Sequence, residues 1–519
     1  MNKLMNLQKR YIVVFFICVF CFALFLAASY LVGGKWGFPL DDAWIHQTYA
    51  RSLARNGRFE YIPGVTSAGS TAPLWTILLA IGYLIRVPYH FWAYFLGLLA
   101  LLWLVWGGMA VWRLLWPSLA EKDWIAGLGI TFTWPLLWAA TSGMETLLFA
   151  ALGIQIAALY LKTMRDALFY VKHLVLLGFL AGLLILIRPD GAVLLALMGF
   201  GLLLPKADLW NRFKRGLIFG AVAMATMLPY FLFNYWTSGT IWPNTMYAKQ
   251  TEYAIVLEQF IGLRISRLLY YSLGGSPDGL QGISAAHLLL LPGIIFAAWQ
   301  ALKQDWEGKQ LVMTVPLLWA FGHVVLYAWR LPVTFQHGRY LMAAMPIWVL
   351  YGLAGWLFIL FSRQSERQVI WFAQRIAGLT LILIALFFLL QGAVAYAQDV
   401  AIVEGEMVAV AQWLAENTAE DALIASHDIG AIGYFAERPL LDLAGLISPE
   451  IIPLLADEAS LEAYVLSSEA NYLVTAPGWP YTAVANDNST QLVYSTDFPL
   501  TQEAGLNNMT VYILQRPLP

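Results

Sequence analysis

The sequence predicts a polytopic α-helical membrane protein that ends in a small α/β domain. Of its 519 residues, 60% are hydrophobic and 12% are charged, whereas soluble domains average about 45–50% apolar and about 25% charged residues. Aromatic residues make up 15% of the chain, which is typical of proteins whose rings lie at the headgroup level of a bilayer. After about residue 398, short strand patterns replace the long apolar runs.

A membrane-spanning helix needs about 20 apolar residues. The first apolar run is too long for a signal peptide and lacks a small-residue cleavage site, so we expect it to remain as an anchor. The candidate runs are 11–33, 71–87, 90–112, 124–141, 144–162, 173–188, 190–205, 216–237, 286–303, 310–330, 340–361 and 371–396.

The basic residues of short loops predict the orientation of these runs, because Lys and Arg favour the cytoplasmic side. Lys3, Lys9 and Arg10 place the N-terminus in the cytoplasm. The later basic loops agree with this placement only if one early run does not cross the bilayer. Run 71–87 is the best candidate, since it is short and is followed at once by a proline. We predict that it lies in the outer interface or re-enters the membrane from that side.

This topology predicts about eleven spans in a transmembrane domain of residues 1–397. The first external loop covers residues 34–89 and contains interfacial helices, and a further external loop covers residues 238–285. Residues 398–519 are expected to form a soluble extracytoplasmic domain, since about 120 residues suffice for one α/β unit. Within it, "EGEMVAVAQWLAEN" predicts an amphipathic helix, and "ALIAS", "YFAERPLLDL", "NYLVTAP" and "TVYILQ" predict strands.

An aspartate pair, Asp41 and Asp42, stands near the start of the first external loop in a chain with few charges. Adjacent like charges repel, so we expect one of them to be partnered or poised as a base. Ionisable residues near membrane depth usually line a cavity or pathway, and the predicted topology brings others to the same external face. These are His46 in the first loop, Glu145 in "TSGMET", Arg188 and Asp190 in "RPDG", Asn244, Tyr247 and Lys249 in "WPNTMYAK", and His337, Arg339 and Tyr340 in "FQHGRY".

Several of these residues also have a purely structural explanation. The segment "RPDG" is a favourable turn between two helices. Glu145 ends "SGME", which resembles a helix N-cap with an acidic residue at N3. Lys249 and Arg339 are placed to anchor the chain to lipid phosphates. The sequence leaves these alternatives open.

A carboxylate beside several cations suits the transfer of a group from an anionic donor to a hydroxyl. Arg and Lys bind phosphate, and a carboxylate takes the proton of the acceptor as general base. Other chemistries lack their signatures, because GxSxG, Walker A and GxGxxG sequences are absent and no basic stripe indicates nucleic acid. Cys18 and Cys21 lie inside the first apolar run, and we interpret them as core residues.

The order of these motifs resembles the GT-C class of integral-membrane glycosyltransferases, nearest its terminal arabinofuranosyltransferase-like branch. The resemblance covers nearly the whole chain. It implies an enzyme of a bacterial inner or plasma membrane that transfers a sugar from a polyprenyl-phosphate donor to a hydroxyl of a cell-envelope glycan or glycolipid on the extracytoplasmic side. The segments that carry it are "DDAWIHQTYARSLARNG", "TSAGSTAPLW", "SGMET", "RPDG", "WPNTMYAK", "HGRY" and "ASHDIGAIGYFAERPLLDLAGLISPE".

The resemblance also implies roles for the site residues. Asp41 matches the key aspartate of the class and is expected to be the general base. Asp42 and Glu145 are expected to organise the acceptor or a divalent cation, because some members of the class bind such a cation near these acids. No cofactor is assigned. The residues expected to hold the donor phosphate are Lys249, His337 and Arg339.

Other functions fit parts of the same pattern. A protein O-mannosyltransferase-like enzyme uses a peptide hydroxyl as acceptor, a lipid-linked sugar transporter or flippase also lines a cavity with charges, and an assembly protein binds glycan without catalysis. A transporter predicts broken helices near mid-bilayer, often in paired halves. The sequence has no internal repeat, so the sugar transferase is the preferred interpretation.

Overall fold

The computed structural model describes residues 2–274, 283–361 and 368–515 of the chain. Residues 275–282 of the predicted external loop 238–285 lie outside the described residues. The α-helices in chain order are α1 (Asn2–Gly33), α2 (Asp42–Asn56), α3 (Pro73–Leu84), α4 (Tyr89–Leu115), α5 (Asp123–Thr131), α6 (Trp134–Thr141), α7 (Thr146–Arg165), α8 (Val171–Ile187), α9 (Ala192–Leu203), α10 (Leu209–Ser238), α11 (Asn244–Glu252), α12 (Ile261–Ser272), α13 (Leu291–Gly308), α14 (Val315–Arg330), α15 (Phe335–Gly338), α16 (Met345–Phe361), α17 (Gln368–Val403), α18 (Ala409–Asn417), α19 (Glu458–Ser467), α20 (Thr482–Ala485) and α21 (Pro499–Glu503). The strands are β1 (Glu60–Ile62), β2 (Val65–Thr66), β3 (Ile424–Ser426), β4 (Leu440–Asp442), β5 (Tyr472–Thr475), β6 (Thr490–Ser495) and β7 (Thr510–Leu514).

The fold is a multi-pass helical membrane fold, as the composition predicted. Among the described residues, six helical stretches are long and apolar enough to cross a membrane by length and composition, and shorter apolar helices accompany them. The six stretches are Gln8–Gly33, Tyr89–Leu115, Thr146–Arg165, Leu209–Ser238, Phe335–Leu360 and Gln374–Asn417.

Several of the predicted apolar runs differ from single long helices, and run 190–205 forms only the 12-residue α9. Run 71–87 forms α3, whose 12 residues extend about 18 Å at 1.5 Å per residue, well short of the roughly 30 Å hydrocarbon core. Run 124–141 divides into α5 and α6. Pro135 lies in the first turn of α6, where its missing N–H costs nothing, but the same residue cannot continue a helix that began earlier.

The C-terminal region contains a mixed five-stranded sheet in the order β4-β3-β5-β7-β6. Strand β3 pairs in parallel with β4 and β5, and β7 pairs in antiparallel with β5 and β6. Strands β3, β4, β5 and β7 fall within segments predicted as strands. The start of the predicted strand "YFAERPLLDL" instead belongs to a π-helical turn, Ile432–Ala436.

The first loop lies between the helical bundle and this sheet unit. Trp44 of α2 is buried and packs edge-on against Phe435, with ring centroids 4.7 Å apart. On its other side the loop contacts the bundle, where the Trp75 indole of α3 donates to the carbonyl oxygen of Gly143 at 2.9 Å. The first loop therefore contacts both the helical bundle and the C-terminal region.

Candidate active site

A cavity of about 550 Å³ lies where the first loop meets the ends of the bundle helices. Eight of the twelve residues predicted for the site line it, although they come from five different segments of the chain. Four cationic and three acidic side chains face this space. The eight predicted residues are Asp42, His46, Glu145, Arg188, Asp190, Lys249, Arg339 and Tyr340.

One half of the cavity wall is a closed hydrogen-bond network around Arg188. This guanidinium donates to Glu145 Oε1 at 2.7 Å, to Asp190 Oδ2 at 3.1 Å and to the Tyr327 hydroxyl at 2.5 Å. The Tyr327 hydroxyl in turn donates to Asp190 Oδ2 at 3.0 Å. Arg188 is thus neutralised by two carboxylates, and its side chain serves to hold the wall rather than to bind an anion.

Glu145 is held in its ionised form by its neighbours. Its second oxygen, Oε2, lies 3.2 Å from His46 Nε2, and the carboxyl group is buried at 3% exposure. Burial alone would raise the pKa of Glu145, but the nearby His46 and the charge of Arg188 lower it to about 2.

The other half of the cavity carries positive charge that acidic side chains only partly neutralise. Asp42 forms an ion pair with Arg339 Nη2, which also donates to the Tyr340 hydroxyl at 2.9 Å. Burial opposes ionisation of Asp42, but the charges of Arg339 and Lys249 hold its pKa well below the usual range. The neighbouring Tyr340 and Asp42 raise the pKa of Lys249, so Lys249 and Arg339 are both positively charged.

Arg339 has unused donors although it is buried. The residue is 6% exposed, and its Nε and Nη1 atoms have no hydrogen-bond partner among the described residues. A buried donor without a partner costs about 1–3 kcal/mol, and more for a charged group. The arrangement therefore favours an anion with several acceptor oxygens next to Arg339 and Lys249.

The aspartate pair is divided between two environments. Asp42 lines the cavity, whereas the two carboxylate oxygens of Asp41 accept from the backbone N–H groups of Gly430 and Ala431, at 2.6 and 2.7 Å. Burial and the neighbouring Asp428 raise the pKa of Asp41 to about 8, against the effect of those two N–H groups. The expectation that Asp41 is the general base has no support in this geometry, because its carboxylate is engaged away from the cavity.

Three other predicted residues are also not among the described residues that line the cavity. Asn244 and Tyr247 lie on α11 near Lys249, and the Asn244 N–H donates to the Ala68 carbonyl at 3.1 Å. His337 was expected to hold the donor phosphate, but its Nε2 lies 2.7 Å from Asp399 Oδ2. Its ring packs edge-on against Trp134 and Trp138, and its Nε2 is already paired with Asp399 within the protein.

Sequence reasoning missed several residues of the cavity wall. Tyr327 and Arg330 lie on α14, inside or at the end of an apolar run without a recognisable motif. Trp242 and Trp329 add an aromatic surface to the wall. In the sequence, the only signal for Tyr327 and Arg330 was their spacing of three residues, which places both on one face of a helix.

A divalent cation fits this donor set poorly. The described residues contain no group of three or more His, Cys, Asp or Glu side chains arranged to hold a metal. The two acids considered as ligands already face guanidinium groups, Asp42 at Arg339 and Glu145 at Arg188.

The fold is that of the GT-C membrane glycosyltransferases, as the motif order predicted. The archaeal oligosaccharyltransferase AglB from Archaeoglobus fulgidus, in complex with an inhibitory peptide and a dolichol-phosphate, matches with a TM-score of 0.60 and 14% identity over 92% of this chain and 70% of its own. ArnT from Cupriavidus metallidurans, bound to undecaprenyl phosphate, matches with a TM-score of 0.58 and 14% identity over 98% of this chain and 99% of its own.

Two further matches are partial, one covering part of the other protein and one covering part of this chain. The arabinofuranosyltransferase AftD from Mycobacteria matches with a TM-score of 0.46 and 12% identity over 96% of this chain and 41% of its own, a likeness too low to bear on which sugar is used. A family model described as a domain of unknown function (DUF8728) matches residues 393–512. No curated protein sequence matches the chain significantly.

Proposed function

We propose that this protein is a membrane glycosyltransferase that takes a sugar from a polyprenyl-phosphate donor and transfers it to a hydroxyl of a cell-envelope glycan or glycolipid. The observation that carries the proposal is the buried Arg339, which lines the cavity together with Lys249 and whose Nε and Nη1 atoms have no hydrogen-bond partner among the described residues. A phosphate monoester or diester supplies the several acceptor oxygens that these donors require.

The lining of the cavity supports a lipid-linked donor over a soluble one. Beyond the charged centre the wall consists of apolar and aromatic side chains, including Val193, Leu326, Trp242 and Trp329. Trp329 is 61% exposed, so this apolar wall reaches the molecular surface. A polyprenyl chain lying along such a surface places its phosphate beside Arg339 while the chain itself stays in an apolar environment.

The proposed reaction is a displacement at the anomeric carbon of the donor. The acceptor hydroxyl forms the new C–O bond, Asp42 takes its proton, and the anomeric C–O bond to phosphate breaks with its electron pair going to polyprenyl phosphate. Arg339 and Lys249 stabilise the charge on the leaving phosphate, and such a preorganised contact contributes roughly 3 kcal/mol. A bound phosphate also competes for Arg339, which frees Asp42 and raises its proton affinity.

We further propose the topology that these roles require. The protein belongs to a bacterial inner or plasma membrane, with a cytoplasmic N-terminus, eleven spans within residues 1–397, and residues 398–519 as an extracytoplasmic domain. The short α3 supports its assignment as an interfacial helix in the loop of residues 34–89.

Single cysteine labelling tests this topology cleanly, because both natural cysteines, Cys18 and Cys21, are buried. The exposed Ala463 of the sheet unit and the exposed Lys206 are each replaced by cysteine. A membrane-impermeant maleimide added to spheroplasts is expected to label Ala463→Cys and to leave Lys206→Cys unlabelled until the cells are broken. The reverse pattern would reject the orientation.

The activity is tested with purified protein in lipid nanodiscs, a panel of polyprenyl-phosphate sugars, and glycan or serine-containing peptide acceptors. We expect release of polyprenyl phosphate with at least one donor and a glycan acceptor, and loss of release in Lys249→Ala but not in the exposed control Lys303→Ala. Release only with peptide would indicate the O-mannosyltransferase alternative. Donor movement across vesicles without release would indicate a flippase.

A further inference from the structure

Residues 429–437 of the C-terminal region are tightly joined to the first loop around Asp41. Asp41 is 8% exposed, and both of its carboxylate oxygens are occupied by the N–H groups of Gly430 and Ala431. Its own carbonyl oxygen accepts from the Trp44 N–H at 2.9 Å in the first turn of α2. One residue therefore joins the start of α2 to the C-terminal region.

The close approach of the segments around Asp41 and Gly430 leaves no room for a side chain at position 430. A Cβ built on Gly430 would overlap the carbonyl oxygen of Asp41 and crowd its carboxylate. The φ angle of Gly430 is not among the left-handed ones, so the requirement for glycine here is one of space rather than of backbone conformation. This provides a substitution that disturbs the contact without changing the charge of Asp41.

Further contacts surround the same point. The Tyr61 hydroxyl of β1 donates to the Ile429 carbonyl at 2.5 Å. Arg51 of α2 donates to the Tyr434 carbonyl at 2.9 Å and lies 2.8 Å from Glu437.

The aromatic rings of the two segments add to this contact. The Arg51 guanidinium lies 4.3 Å from the centre of the Tyr434 ring. The Tyr83 hydroxyl of α3 donates to the Tyr434 hydroxyl at 3.0 Å. The three elements of the first loop, α2, α3 and β1, thus all contact a single short segment.

We infer that this segment of the C-terminal region is the part that positions Asp42 for catalysis, and that Asp41 is a positioning residue rather than the base. The inference rests on the proposed function, since it concerns the carboxylate proposed to act there. Asp42 directly follows Asp41 and is held from the other side by Arg339. The region matched by the domain of unknown function thereby acquires a role in the active site, although Leu446 is its only residue among the described ones lining the cavity.

Misplacement of a reacting group by about 1 Å costs up to about 100-fold in rate. We therefore expect Asp41→Asn and Gly430→Ala each to lower kcat by about 10- to 100-fold. The KM for donor should change less than threefold in both, because Arg339 and Lys249 are untouched. Gly220→Ala is the matched control, since a Cβ there meets no atom within 4 Å, and it should leave both constants unchanged.

The pH profile separates the two roles of Asp41. If Asp41 were the base, kcat/KM would fall as the pH drops through about 8, the pKa that burial and Asp428 give it. With Asp42 as the base, Asp41→Asn still loses activity at a pH well below 8, because Arg339 and Lys249 hold the pKa of Asp42 below its usual range. Residual activity of Asp41→Asn that does not fall at low pH, or full activity in Gly430→Ala, would overturn the inference.

Hydrogen exchange tests the contact independently of any activity. In the wild type the amides of Gly430 and Ala431 are expected to be protected, and in Asp41→Asn their exchange should accelerate at least tenfold while those of β5 stay unchanged. Unchanged exchange at both amides would reject the positioning role. Accelerated exchange in a protein that transfers no sugar with any donor would retain the contact and reject the proposed function alone.

Discussion

Arg339 and Arg188 are two buried guanidinium groups on the same cavity, yet their surroundings assign them different tasks. Arg188 meets two carboxylates and a phenol, so its donors are used within the protein. Arg339 meets one carboxylate and keeps two nitrogen atoms without partners among the described residues. The identity of the residue is the same, but the number of neighbouring acceptors differs, so we expect Arg339 rather than Arg188 to bind the ligand.

Alanine substitutions at these two positions should therefore separate stability from binding. Arg188→Ala leaves Glu145 and Asp190 buried without their cation and is expected to destabilise the fold by about 3–5 kcal/mol. Arg339→Ala should cost less in stability but weaken binding of polyprenyl phosphate at least tenfold. Thermal unfolding and binding of the lipid phosphate in nanodiscs measure the two effects. Equal loss of binding in both variants would contradict this division.

Glu145 predicts a specific pH dependence of stability. Its pKa falls from an ordinary 4.5 to about 2 in the folded protein, so the unfolded chain binds the proton more readily. Its contribution is fully present above about pH 4.5 and is lost as the pH falls towards 2. Thermal unfolding between pH 6 and 3 should show a smaller acid-induced loss in Glu145→Gln than in the wild type. An identical pH slope in the two proteins would count against the ion pair.

At the level of elements, a short left-handed turn places Arg339. Gln336, His337 and Gly338 all have positive φ angles, of 51°, 58° and 69°. Such a conformation costs about 1–2 kcal/mol for each residue other than glycine. The turn is held by Asp399 of α17, which accepts from His337 and from the Trp138 indole at 2.7 and 2.8 Å. Strain of this kind is often found where a functional side chain must be held.

Removal of this anchor should weaken the donor site indirectly. His337→Ala frees the turn from Asp399, and we expect binding of polyprenyl phosphate to weaken about three- to tenfold because Arg339 is held less firmly. Gln336→Asn is the control, since Gln336 is exposed and asparagine tolerates the left-handed region. Donor binding measured by fluorescence titration should remain at the wild-type value in that control. Normal binding in His337→Ala would show that the turn is set by other contacts.

The sequence predicted the elements better than the side-chain partners. Long apolar runs and the strands β3, β5 and β7 follow from periodicity and composition, which are local properties. Strand β6 was missed because its Leu492 and Val493 are exposed at the sheet edge, without the alternation that marks a half-buried strand. The motifs placed Asp42, Lys249 and Arg339 together. The hydrogen-bond partner of Asp41, however, lies hundreds of residues away in the sequence, and that of His337 lies tens of residues away. Such pairings depend on the tertiary fold and leave no local pattern.

The whole molecule places a cationic, partly apolar cavity between a helical bundle and the first loop, which residues 429–437 of the C-terminal region contact. The bundle supplies Glu145, Arg188 and Arg339, the loop supplies Asp42, and α11 supplies Lys249. This division accounts for a site assembled from segments that are far apart in sequence. It also predicts that binding of the lipid phosphate and transfer of the sugar can be separated by substitution.

The most direct test is to replace Asp42 by asparagine and to measure both steps in nanodiscs. Asp42→Asn keeps the shape of the side chain but removes the base and the charge that competes for Arg339. We predict that polyprenyl phosphate binds at least as tightly as to the wild type, while single-turnover sugar transfer falls by about 10²- to 10⁴-fold, the usual contribution of a general base. Full transfer by Asp42→Asn, or loss of lipid-phosphate binding, would contradict the assignment of Asp42 and of the anion site beside it.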